Sequence, residues 1–182
     1  MKYLSIIGFS MLLSNTIKAQ LTKGNWMLGG NISFNSTNYN STNYTPPTYT
    51  TVILDFNPNV AYFVANNFNV GIKSSFNKIL RISGSSYTSF RLGPSCRYYF
   101  LDNEKRINFL VEAGYRFGLE KGSSGKSSTN TYAGGLGCVT FFNSSVGLEF
   151  MVNYISDKFN DYAGRNNTIQ IALGLQVHLI KD

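Results

Sequence analysis

Apolar residues and small polar residues alternate along most of the chain, and this alternation restricts the possible fold more than any other feature. A period of two places successive side chains on opposite faces of a β-strand, whereas an amphipathic helix needs a period near 3.6. No stretch has a convincing helical period. The alternation predicts eight strands, which fall at residues 24–35, 51–64, 68–76, 90–100, 109–117, 131–142, 146–154 and 169–179.

The charged residues inside these strands all lie on the small, polar face. Seven occupy mid-strand positions, namely Asp55, Lys73, Arg91, Arg97, Glu112, Arg116 and Glu149. The opposite face carries large apolar residues and no mid-strand charge. An Arg or Lys that faces hydrocarbon at the middle of a bilayer costs about 2–4 kcal/mol, so contact with lipid explains this exclusion. It also explains why only 14% of the residues are charged, against about 25% in a soluble domain.

The links between the predicted strands alternate in length. Short links are expected at residues 66–67, 101–105 and 143–145. Long polar links are expected at residues 36–50, 79–87, 119–130 and 156–166. Outer-membrane barrels alternate short periplasmic turns with long external loops in this way. The expected fold class is therefore all-β, an eight-stranded antiparallel up-and-down transmembrane β-barrel with both termini in the periplasm.

Two local details of the strands can be predicted as well. Pro58 and Pro94 fall inside strands, where a residue without an N–H group usually marks an edge or a bulge, so we expect bulges there. Aromatic residues near the short turns are expected to form a girdle at the periplasmic membrane interface. They are Phe63, Phe68, Tyr98, Tyr99, Phe100, Phe141 and Phe142.

The first residues have the pattern of a secretory signal peptide. Lys2 supplies a positive charge, residues 4–13 form an apolar run, and Ala19 is a small residue at the expected cleavage point. The run is shorter than the roughly 20 residues that a membrane-spanning helix needs. The predicted organisation is a signal peptide at residues 1–19 and an outer-membrane β-barrel domain at residues 20–182. We expect an integral protein of the outer membrane in a Gram-negative cell envelope.

Three segments carry a resemblance to a known family. They are the opening run 24–30, which begins Gly24-Asn25-Trp26, and the strands 58–63 and 94–100, which share a proline start and an aromatic end. Together with the signal peptide, they make residues 20–182 resemble the small outer-membrane β-barrel family of the OmpA/OmpX type, the porin-like domains. The resemblance implies an eight-stranded barrel. One departure is the ending at Asp182, because members of this family commonly end on an aromatic residue that is read during barrel insertion.

An alternative reading of the opening segment stays open. Gly24-Asn25-Trp26 also has the Gly-x-Trp form found at the start of lipocalins, which are soluble eight-stranded barrels that hold one small ligand. A lipocalin turns its apolar face inward and its charged face to water. The direction of the apolar face therefore distinguishes a membrane barrel from a lipocalin.

The barrel interior is the predicted place of the seven mid-strand charges. Eight strands enclose a lumen that side chains just fill. Four of the charges are positive and three are negative, and charges in a confined space are costly unless they are paired and hydrogen-bonded. We expect an interlocking ion-pair network that plugs the barrel. A narrow porin that passes small solutes is the second reading.

No catalytic residue, cofactor or metal site is expected. His178 is the single histidine and is predicted to point into the lumen at the periplasmic end. Cys96 and Cys138 are predicted to face lipid on strands two apart, about 9.5 Å from each other, which is beyond the reach of a disulfide. We therefore expect two free thiols.

The expected partners follow from charge and loop composition. The net charge of +7 has no run of Lys or Arg, so a nucleic acid is not expected. Outer-membrane lipid is the expected surrounding. Residues 36–50 are rich in Tyr, Asn, Ser and Thr, a composition that also favours binding loops. We expect a monomer with a structural or surface-interaction role through its long external loops, and no catalysis.

Overall fold

The computed structural model describes residues 21–40, 48–81, 87–122, 125–160 and 165–179. Eight strands account for its regular structure: β1 (Trp26–Asn40), β2 (Thr48–Ala65), β3 (Phe68–Arg81), β4 (Tyr87–Tyr99), β5 (Ile107–Gly122), β6 (Gly125–Phe141), β7 (Val146–Phe159) and β8 (Arg165–Leu179). They pair antiparallel in chain order and close into a barrel. The predicted fold class is confirmed. The predicted signal peptide and the residues after Leu179 lie outside the described ranges.

The large apolar side chains point away from the barrel interior. Ile32 and Leu136 are each 64% exposed, and Ile169 is 76% exposed. The inward positions between them are small, polar or charged. This direction is opposite to that of a lipocalin, so the lipocalin alternative is wrong. Within the described ranges, no helix is long and apolar enough to cross a bilayer.

The short turns lie where the sequence predicts them, at 66–67, 100–106 and 142–145. Asn67 in the first turn has a φ of 62°, a left-handed conformation that Asn adopts more readily than most non-glycine residues. We call the end of the barrel that carries these turns the turn end, and the opposite end the loop end.

The long links of the loop end are shorter than predicted, because the strands continue into them. β5 and β6 pair up to Gly122 and Gly125, so most of the predicted link 119–130 is strand. In the same way, 36–40 and 48–50 of the predicted loop 36–50 belong to β1 and β2, and 41–47 lies outside the described residues. Antiparallel pairing satisfies the backbone N–H and C=O groups there. The alternation of apolar and polar residues fades there, because outward positions such as Asn130 and Lys158 are polar as well.

The bulges predicted at the prolines are also wrong. Pro58 pairs with Gly30 on β1, and Pro94 pairs with Ile72 on β3. In the β2–β3 ladder and in the β4–β5 ladder, two residue pairs at the proline are missing. The register before the gap is nevertheless the same as the register after it. A proline lacks only its own N–H, so the ladder loses hydrogen bonds without an extra residue. The β2–β3 register shifts instead between Phe63 and Ala65.

The predicted aromatic girdle is only partly present. Phe63, Tyr99 and Phe141 are fully buried inside the barrel and contribute nothing to the outer surface. Each occupies an inward position of its strand, one residue away from an outward neighbour such as Tyr62 or Phe142. The aromatic residues that do face outward at the turn end include Tyr98, Phe100 and Phe142.

The seam between β1 and β8 is paired over only part of its length. Trp26 to Ile32 pair with Leu179 to Leu173. Toward the loop end, 33–40 still pairs with β2 and 165–172 still pairs with β7, but no described pair joins the two segments to each other. The side chain of Gln170 bridges this gap, because its Nε2 donates to Ser33 Oγ at 3.0 Å.

Candidate functional site

The turn end of the lumen is closed by a floor of apolar and aromatic side chains. The floor consists of Leu21, Met27, Phe63, Tyr99 and Phe141, all of them at most 1% exposed. The rings of Phe63 and Tyr99 have centroids 6.0 Å apart. His178 lies in the same layer, with its ring 5.7 Å from Phe63 and 5.5 Å from Phe141. The histidine therefore points inward, as the sequence predicts, and it packs as part of the floor.

A network of buried charges lies directly above the floor. This central network consists of Lys73, Arg97, Glu112 and Glu149. Arg97 Nη1 donates to Glu149 Oε2 at 2.6 Å, and its Nη2 donates to Glu112 Oε2 at 2.5 Å. Lys73 Nζ donates to the other oxygen of Glu112. Two cations thus neutralise two carboxylates from four different strands, β3, β4, β5 and β7.

The strand register explains why these charges meet. Arg97 and Glu112 are directly opposite each other in the β4–β5 ladder, so both project into the lumen at the same height. Glycines on β6 leave room for side chains of the next strand: a Cβ at Gly135 would lie 3.0 Å from Met151 Cε. Met151 and Asn153 fill that space, and Glu149 extends from the same face of β7 to Arg97.

Neutral polar groups hold the central network in place. Arg97 Nη1 also donates to Tyr99 Oη at 3.3 Å, and the Tyr99 hydroxyl donates to Gln176 Oε1 at 3.1 Å. The Gln176 amide in turn donates to Glu149. The last of these bonds satisfies an acceptor position of the buried Glu149 carboxylate, which is the condition for a buried ion pair to be tolerated.

A second charge cluster lies nearer the loop end and includes two residues that the sequence analysis missed. Arg91 Nη2 is 2.7 Å from Glu120 Oε1 and 3.6 Å from Asp157 Oδ2. Thr131 donates to Asp157. Glu120 and Asp157 were assigned to links. Their sequence phase could have identified them, since Glu120 is an even number of residues from Glu112, as Asp157 is from Glu149.

The remaining two predicted network residues make no ion pair within the described part of the chain. Asp55 accepts hydrogen bonds from Ser33 Oγ at 2.8 Å, from Gln170 Nε2 at 3.3 Å and from Asn77. Arg116 is 7% exposed, and its Nε has no hydrogen-bond partner. Its side chain lines an interior cavity of about 10 Å³. That volume is about the space of one water molecule.

The interior is therefore built for packing and charge neutralisation, and its histidine packs against the rings of Phe63 and Phe141. Within the described residues, no group of three or more His, Cys, Asp and Glu side chains could hold a metal ion. Cys96 and Cys138 are free thiols, as predicted. They lie on β4 and β6, at positions in phase with the outward apolar residues.

An apolar exterior around a polar lumen in an eight-stranded up-and-down barrel defines the fold of the small outer-membrane β-barrels. The crystal structure of neisserial surface protein A (NspA) is similar to this chain, with a TM-score of 0.60 and 12% sequence identity. The match covers 85% of this chain and 97% of that chain, and it shows that the two proteins share a fold.

A second solved structure gives a weaker likeness. OmpT, an outer membrane protein of Vibrio cholerae in its trimer form, matches with a TM-score of 0.38 and 12% identity over 87% of this chain and 52% of that chain. No family model matches the sequence, and no curated protein matches it either.

Proposed function

We propose that the protein is an integral, monomeric β-barrel of the outer membrane of Gram-negative cells, with both termini in the periplasm. The observation that carries the proposal is the inversion of the barrel surface. Side chains such as Ile32, Leu136 and Ile169 face outward, while Arg97, Glu112 and other charged groups are buried inside. In water this arrangement would expose a large apolar belt, whereas in a bilayer the belt contacts the lipid tails.

The role that best fits this barrel is structural or surface-interacting, without transport or catalysis. The floor and the central network fill the lumen in successive layers, which argues against an open channel. The paired hairpins of the loop end project beyond the belt, and residues 36–50 carry tyrosines and amides suited to contact another molecule. A surface role would therefore use the hairpin of β1 and β2.

Cell fractionation and topology mapping test this function. The protein should pellet with outer membranes, resist carbonate extraction and change its gel mobility on boiling. An epitope inserted within residues 41–47 should be recognised by antibody on intact cells, whereas an epitope after Asp182 should be recognised only after the outer membrane is opened. Recovery in the soluble periplasm would contradict the membrane location, and the reverse epitope pattern would contradict the orientation.

A further inference from the structure

The outer surface of the barrel carries an apolar groove that crosses five strands, from β3 to β7. Its volume is about 820 Å³, and small residues such as Gly71, Ser95, Gly114 and Gly134 line it. Four strand spacings of 4.7–4.9 Å make it about 19 Å long. We call it the outer groove. Its lining residues shift along the strands, from close to the turn end on β3 to close to the loop end on β7.

Two tyrosines and two cations lie where the outer groove approaches the loop end. Tyr132 and Tyr154 line the groove. The guanidinium of Arg165 lies over the ring of Tyr132, 5.7 Å from its centroid. Lys158 is directly opposite Arg165 in the β7–β8 ladder, and both side chains are exposed. Both also share the outward face of their strands, since Lys158 is in phase with Tyr154 and Arg165 with Ile169.

This cation pair, Lys158 and Arg165, is unfavourable by itself. Like charges directly opposite each other on one face of an antiparallel pair destabilise it. Within the described residues, no acidic side chain forms an ion pair with either of them. The described acidic side chains on the inward faces of the strands, including Glu120 and Asp157, point into the lumen and so face away from the cation pair. An anionic group placed between the two cations would remove their repulsion and form charge-assisted hydrogen bonds to both.

Amide and hydroxyl groups extend the polar surface beside the cation pair. Tyr115 Oη donates to Asn130 Oδ1 at 2.5 Å, and Asn160 Nδ2 donates to Ser128 Oγ at 2.6 Å. Asn130 and Asn160 also contact each other, at 3.5 Å. Exposed amides and hydroxyls of this kind are suited to hydrogen-bond the hydroxyl groups of a sugar.

We propose that the outer groove and the cation pair bind a phosphorylated glycolipid of the outer leaflet. An acyl chain lies in the groove, the phosphate lies between Lys158 and Arg165, and the sugar contacts the amides of Asn130 and Asn160. The proposal rests on the proposed function, since it needs the loop end to lie in the outer leaflet. A second copy of the chain fits less well, because two-fold symmetry about the membrane normal would bring two cation pairs to the same height.

The phosphate contact is tested with neutral variants of the cation pair. Purified protein in detergent micelles is titrated with diphosphoryl lipid A and the bound lipid is counted by native mass spectrometry. The double variant Lys158→Gln with Arg165→Gln should bind about tenfold more weakly or worse, because two charge-assisted contacts are lost. The control is Lys78→Gln. Lys78 is also exposed near the loop end, but its ladder neighbours are Leu54 and Thr88, so it should change binding less than about twofold.

The groove contact is tested separately with Gly134→Leu. A Cβ at Gly134 would meet only the backbone oxygen of Glu112, at 3.9 Å, so the barrel has room for the leucine, which then fills the groove. Thr140→Leu is the control, because it places the same leucine side chain on the outward face of the same strand, away from the groove. Only Gly134→Leu should weaken lipid A binding. Boiling gels establish that each variant is folded before binding is measured.

Three outcomes would overturn the proposal. Equal binding of lipid A to the wild type and to the double variant would show that the cation pair does not bind the phosphate. If the wild type bound dephosphorylated lipid A or phosphatidylglycerol as tightly as diphosphoryl lipid A, the ligand would not be a phosphorylated glycolipid. Efficient cross-linking of two copies through Cys96, which lines the groove, would assign the groove to a dimer. A wild type that fails to enter membranes would instead contradict the proposed function, so the two failures are distinguishable.

Discussion

Removing Glu112 is the sharpest test of how the barrel interior is stabilised. Glu112 is 8% exposed and accepts hydrogen bonds from Lys73 and Arg97. In Glu112→Gln, Arg97 keeps Glu149, but Lys73 loses the carboxylate that it pairs with in the structure. Breaking a buried pair from one side costs about 3–5 kcal/mol in a dry site. We expect the lower end of this range, because only one of the two cations loses its carboxylate.

The assay is urea unfolding of the refolded barrel, followed by tryptophan fluorescence and by the gel mobility of unboiled samples. Trp26 is the single tryptophan and faces outward at the turn end, so its emission reports the transfer from lipid to water. With a urea m-value of about 1–3 kcal/mol/M, a loss of 3 kcal/mol lowers the midpoint by about 1–3 M. Asp102→Asn removes an exposed turn carboxylate and should change stability by less than about 0.5 kcal/mol.

A double-mutant cycle separates the ion pair from general damage to the interior. Lys73→Met destabilises by itself because it leaves Glu112 with one cation fewer. The combination Lys73→Met with Glu112→Gln removes both charges, so it should be less destabilised than the sum of the single variants, by about 1 kcal/mol or more. Strict additivity, or a Glu112→Gln midpoint equal to that of the wild type, would refute the reasoning.

Three further outcomes follow from the fold. Wild-type protein should show no large stable conductance in planar bilayers, because the floor and the central network fill the lumen; steady channels of porin size would promote the porin reading. Thiol titration in denaturant without reductant should find two free thiols, Cys96 and Cys138, and a single intramolecular bridge would mean that the strand order or facing is incorrect. Backbone amides in 33–40 and 165–172 should exchange with deuterium faster than those in the paired half of the β1–β8 seam, and uniform protection along the seam would contradict the unpaired gap.

Two errors of the sequence reasoning have different physical causes. The strand ends were underestimated, because alternation disappears where the outward residues are polar too, although the backbone pairing continues to Gly122 and Gly125. Phe63 and Tyr99 were assigned to the membrane girdle, because an aromatic ring suits either an interface or a buried floor. Their phase already placed both rings on the inward face, since Phe63 is in phase with Asp55 and Tyr99 with Arg97.

The alternation along the chain is enough to specify the number of strands, the direction of their apolar face and the inward position of every charge in the central network. These properties are local, since a period of two assigns each residue to a face without reference to any other strand. Which inward residues meet was decided by the tertiary structure alone. Register and closure across the lumen bring Glu149 to Arg97 and Asp157 to Arg91, while they give Asp55 hydroxyl and amide partners instead of a cation. A single strand carries no information about the height of its neighbours, so these partnerships exist only once the barrel has closed.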